Sequence, residues 1–133
     1  GKPSPELVAN YADVMDSHHD LWSRMTQTAL PYIPNVTMGW DVTPRCEKDI
    51  RWPFPPSPIT GNLDYPYCHL VTENTPDRFE ELCVQAREHV SANSPQPFAV
   101  MVNAWNEWTE GSYLLPEKRT GTMYLEALQK AFE

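Results

Sequence analysis

The sequence has 133 residues, 41% hydrophobic and 21% charged, the balance of a chain that folds around a modest core. A net charge of −8 with no basic cluster argues against nucleic-acid and anionic-membrane partners. No apolar run approaches the ~20 residues that a membrane span requires.

The chain opens "GKPSPELV", with neither an initiator methionine nor a visible signal peptide, as expected of a trimmed chain or of the tail of a longer protein. Ser4-Pro5-Glu6 reads as a helix start, with Ser4 as N-cap and Pro5 at the first helical position. Leu7, Tyr11, Val14, Met15, Leu21, Trp22 and Met25 then recur near a 3.6-residue period, so a first helix should run until shortly before Pro31. "NVTMGW", residues 35 to 40, is short, β-branched and preceded by proline, which predicts a strand.

Residues 41 to 75 lack a period and are rich in proline and aromatics (Trp52, Phe54, Tyr65, Tyr67). A loop of this length in a compact domain is unusual, and its aromatic content predicts an ordered functional surface. Its "PFPP" stretch would also suit a polyproline ligand of a partner domain. Thr75-Pro76-Asp77 repeats the cap-then-proline signal, and Phe79, Leu82, Cys83, Ala86 and Val90 make one helical stripe. "NSPQP" should end that helix. "FAVMVNAW", residues 98 to 105, reads as a second strand, apolar on both faces as in a parallel sheet between layers. Gly121 to Phe132 reads as a last helix, with Tyr124, Leu125, Leu128 and Phe132 inward.

This order predicts an α/β fold with about two parallel strands and three helices. Two strands do not complete such a sheet. A (β/α)8 TIM barrel takes ~250 residues, so the chain would supply its C-terminal part, a single segment over 1–133 with 41–75 as a long active-site loop. An open sheet edge predicts poor stability in isolation and self-association if the fragment is expressed alone.

Cys46, Cys68 and Cys83 are widely spaced, which suits neither a disulfide framework nor a zinc site, and Cys83 falls on the core stripe. His18, His19 and His89 lack partner ligands at helical spacing, so structural roles outweigh metal ligation.

Two segments follow the predicted strands, where such folds carry their chemistry. One is Trp40-Asp41-Val42-Thr43-Pro44-Arg45, and the other Trp105-Asn106-Glu107-Trp108-Thr109-Glu110. Together they join acids to indoles. An aromatic face packs on the apolar face of a sugar ring while carboxylates and amides bond its hydroxyls. Cleavage of a glycosidic bond needs two carboxyl groups in different protonation states. The plainer readings are that the acids cap a helix or pair with Arg45 or Arg119, that Asp41 and Arg45 form a structural ion pair, and that the tryptophans are core.

"GWDVTPR" followed by "VNAWNEWTEGSYLLPEKRTGTMYLEAL" resembles the glycoside hydrolase family 99-like group, which includes the WbsX domain of bacterial polysaccharide loci. The resemblance spans about residues 34 to 132 and implies the C-terminal end of a (β/α)8 barrel. Characterised members are endo-acting α-mannosidases and mannanases whose two motif glutamates match Glu107 and Glu110. It implies that Glu107 deprotonates the sugar 2-hydroxyl and that Glu110 is the general acid, with net retention and no metal or cofactor. Asn106 and Trp108 would orient the pair, while Trp40, Asp41, Arg45 and Trp105 would meet an oligosaccharide or polysaccharide. Leu115 stands where the family usually carries Glu, Thr120 where it carries an aromatic, and Val42 where it carries Asn. The implied activity is a retaining endo-acting glycoside hydrolase, with the fragment alone inactive. The competing readings are a glycosyltransferase of surface polysaccharide synthesis and a non-catalytic carbohydrate-binding domain. The segment has neither a D-x-D metal motif nor a Gly-rich phosphate loop for a nucleotide sugar.

Overall fold

A computed structural model describes residues 8–46, 66, 70–93 and 97–133. The described elements are β1 (Val8–Asn10), α1 (Tyr11–Thr26), β2 (Asn35–Thr37), β3 (Leu70–Thr72), α2 (Pro76–Ala92), β4 (Met101–Asn103), β5 (Asn106–Glu107), β6 (Ser112–Tyr113) and α3 (Met123–Phe132). Two 3-10 turns, Thr43–Arg45 and Trp108–Glu110, follow β2 and β5. The architecture is α/β. β1 pairs in parallel with β3, β2 in parallel with β4, and β5 antiparallel with β6. The Val71 amide donates to the Trp40 carbonyl at 2.7 Å, which ties the first parallel pair to the second.

The first helix starts later than the sequence signal indicates. Ser4, Pro5 and Glu6 lie outside the described residues, but Val8–Asn10 is a strand and the helix begins at Tyr11. Asn10 supplies the cap, accepting from the Ala12 amide at 2.9 Å, and its Oδ1 also takes Arg78 Nη1 at 3.3 Å. The pairing of β1 with β3 overrides the helical reading of Val8–Asn10. The α2 start is as read: Thr75 Oγ1 accepts from the Arg78 amide and Pro76 opens the helix.

The core lies where α2 and α3 cover the β2–β4 pair. All five residues of the α2 stripe are buried, together with Val36 and Met38 near β2 and Ala127 and Ala131 of α3. Phe79 and Tyr124 meet edge-on at 5.7 Å between ring centres. Burial pushes the Cys83 thiol up to about 12, so it stays a protonated core group. Tyr11, fully buried, donates its hydroxyl to the Thr37 carbonyl and so fastens α1 to β2. Burial raises its ionisation far above the ordinary phenol range.

Two expectations for the second strand and last helix are corrected. β4 is limited to Met101–Asn103, and it is not buried on both faces: Met101 is 58% exposed and Phe98, just before it, 76% exposed. α3 turns Ala127 and Ala131 to the core while Phe132 is exposed. Phe98 and Phe132 fall on one open side, an apolar groove of about 620 Å³ between α2, α3 and β4 lined also by Val90, Val100, Val102 and Leu128. The 41–75 stretch also holds more structure than a plain loop, a 3-10 turn at its start and β3 near its end. Trp52, Phe54, Tyr65, Tyr67 and Cys68 lie outside the described residues.

Candidate functional site

The site is built where β2 and β4 end. After Thr37 the chain passes Gly39, whose φ is +149° and whose absent Cβ would stand 2.5 Å from Asn74 Nδ2. That close approach lets Asn74 donate to the Met38 carbonyl at 3.0 Å, fixing the path into Trp40 and Asp41. The Asp41 carboxylate accepts the Thr43 amide at 2.9 Å and shapes the Thr43–Arg45 turn. Asp41 is therefore engaged in its own turn, and Arg45 pairs elsewhere. The expected Asp41–Arg45 ion pair is not formed.

On the other side, β4 leads into the hairpin of β5 and β6. Buried Ser112 holds that hairpin down, donating to the Asn103 carbonyl at 2.6 Å with Thr37 Oγ1 at 3.2 Å. The Leu114 amide bonds the Ala104 and Trp105 carbonyls, each at 3.1 Å. Gly111, at φ +63°, closes the 3-10 turn. A Cβ there would stand 2.8 Å from both Cβ and the amide nitrogen of Asp41. The bare backbone lets the Asp41 amide donate to the Glu110 carbonyl at 2.7 Å, so the two segments are stitched together.

The geometry brings both glutamates to one guanidinium. Arg45 Nη2 donates to Glu107 Oε1 at 2.8 Å, Nη1 lies 3.2 Å from Glu110 Oε1, and Nε donates to Thr109 Oγ1 at 2.7 Å. Glu110 is the more sheltered acid, its side chain 17% exposed against 44% for Glu107. The pairing with Arg45, one of the plainer readings of the acids, is what forms.

Trp105 and Trp108 are both exposed, so neither is a core residue. Trp108 stacks on Tyr113, with ring centres 4.2 Å apart and planes 31° apart. Trp40 is half-buried beside this region and Asn106 is exposed on β5. Tyr113 and Thr109 were missed by the sequence reading. The signal for Tyr113 was a hairpin register that a two-residue strand hardly announces, and Thr109 carries no charge to draw attention. Beyond the hairpin, Glu117 accepts the amides of Arg119 and Thr120 and the Thr120 hydroxyl. The Arg119 amide bond, followed by the Thr120 hydroxyl, holds the Glu117 carboxyl below its ordinary range. Among the described residues no cluster of three or more His, Cys, Asp or Glu could hold a metal, and no helix is long and apolar enough to cross a membrane.

The chain spans a small part of its curated relatives. Two versions of an "uncharacterized protein WxcX", from two strains of Xanthomonas campestris pathovar campestris, are 29% identical over 129 residues, covering 96% of this chain and 16% of theirs. No solved structure matches significantly. The family described as "Glycosyltransferase WbsX" matches residues 65–128, from just before β3 through the Glu107–Glu110 turn into α3. Over residues 65–128 the chain is thus similar to part of a WbsX-type domain.

Proposed function

We propose that this segment is the catalytic, C-terminal part of a (β/α)8 barrel that hydrolyses an α-mannan-like or related polysaccharide, endo-acting and with retention. One observation carries the reading: Glu107 and Glu110 converge at the carboxyl end of a parallel strand, on a surface with two exposed indoles. The barrel is supported by the β2–α2–β4 parallel crossover and by the open apolar side of β4, which further strands and helices would cover.

In the proposed cycle the sugar 2-hydroxyl gives its proton to Glu107 and its oxygen attacks C1. The glycosidic C1–O bond breaks as Glu110 protonates the departing oxygen, leaving a 1,2-anhydro sugar. Glu110 then takes a proton from water, which attacks C1; the C1–O2 bond opens, and O2 recovers the proton from Glu107. Two displacements at C1 give net retention. The carboxylates suffice for these steps. Trp105 and Trp108 would pack on sugar faces, with Trp40 and Asn106 at the margin and Asp41 acting through the turn it caps.

The family's glycosyltransferase description favours a second reading, synthesis rather than cleavage. Reducing-end release from α-linked manno-oligosaccharides by the full-length protein separates the two. Hydrolysis should fall by about 10²–10⁴-fold in Glu110→Gln. A substrate with a good leaving group should recover part of that loss, because it needs no proton from Glu110. Binding of a nucleotide sugar without any release would favour transfer. Sugar binding that Trp108→Ala abolishes and Glu110→Gln spares, again without release, would favour a binding domain.

A further inference from the structure

We propose that Arg45 is the positioning residue for both acids, setting their separation rather than binding sugar; this rests on the hydrolase reading above. Residues 107 and 110 are three apart across a 3-10 turn, a spacing that brings side chains onto one side. Two flexible side chains so placed need a common partner to fix their separation. The guanidinium is planar, with donors at fixed angles. Here it spends Nη2 on Glu107, Nη1 on Glu110 and Nε on Thr109, three neighbours in one turn.

Arg45 is itself held from behind. Its amide donates to the Val42 carbonyl at 2.9 Å, and its turn is capped by Asp41, whose amide bonds the Glu110 carbonyl. The circuit from Asp41 through Arg45 to Glu110 and back closes on itself, so moving any member moves the acids. Arg45 takes Oε1 of Glu107 and leaves Oε2 for the proton that this residue would accept. It acts through the acids and touches no reacting atom.

The test uses the full-length protein and release from α-linked manno-oligosaccharides, with Arg45→Gly and Arg45→Lys. Arg45→Gly is expected to lower kcat by about 10²-fold with KM within a few-fold, the signature of misplaced catalytic groups. Added guanidinium should restore part of kcat, since Arg45 is exposed and its place opens to solvent. Arg45→Lys should stay defective, because one ammonium cannot bond all three partners in this geometry. Should Arg45→Gly fail to fold, Arg45→Lys decides alone, and normal kcat there overturns the proposal. A loss confined to KM would make Arg45 a sugar-binding residue and also overturn it. A parent without release, or one unaffected by both Glu→Gln changes, would overturn the hydrolase reading and this proposal together. Inactive Glu→Gln forms beside a fully active Arg45→Gly would overturn this proposal alone.

Discussion

Gly111 shows how much of the site depends on one missing carbon. Its φ of +63° suits glycine, and its bare Cα lets the Asp41 backbone come close enough to bond Glu110. Gly111→Ala should therefore cost about 1 kcal/mol or more in stability. It should also lower kcat, because the same strain pushes the Asp41 turn away from the acids. Thermal unfolding and turnover of the full-length variant check this, and an unchanged variant on both counts would contradict the stitched geometry. The sequence displays the acids and indoles here openly, because charged and aromatic side chains are chemically distinctive. It hides Thr109 and Tyr113, whose roles come from a turn and a hairpin register.

Between elements, α1 and α2 meet at a cluster of three imidazoles around buried Trp22. His19, His89 and His18 lie 5.2, 5.6 and 5.9 Å from its ring. The Thr26 hydroxyl donates to the Trp22 carbonyl, which leaves it to accept from His89 Nε2 at 2.9 Å. Burial, and then the neighbouring His19, lowers the pKa of His89 from 6.5. The folded state thus binds that proton less readily than the unfolded chain. The contribution to stability is full above the unfolded value and is lost as pH falls through the lower folded one. The urea midpoint should drop between about pH 8 and pH 5.5, and less so in His89→Gln, which keeps a hydrogen-bonding side chain without the charge. Equal slopes for both proteins would contradict this. α2 was legible almost residue by residue, because cap, proline and apolar stripe all agree. β1, β3, β5 and β6 were not, since two- and three-residue strands carry no period, and pairing rather than propensity makes them.

For the molecule as a whole, the uncovered apolar side matters most. Phe98 and Phe132 stand exposed along one apolar groove, and Met101 is exposed on β4 beside them in sequence. The isolated segment should therefore sediment as associated species, and replacing Phe98 and Phe132 with Lys should shift it toward monomer. A monodisperse monomer would contradict an unclosed sheet. The central claim concerns the two glutamates. Its most direct test is reducing-end release from α-linked manno-oligosaccharides by the full-length protein beside its Glu107→Gln and Glu110→Gln forms. The account predicts release by the parent and its collapse in both variants. Undiminished release by either variant, or none from a folded parent, would contradict it.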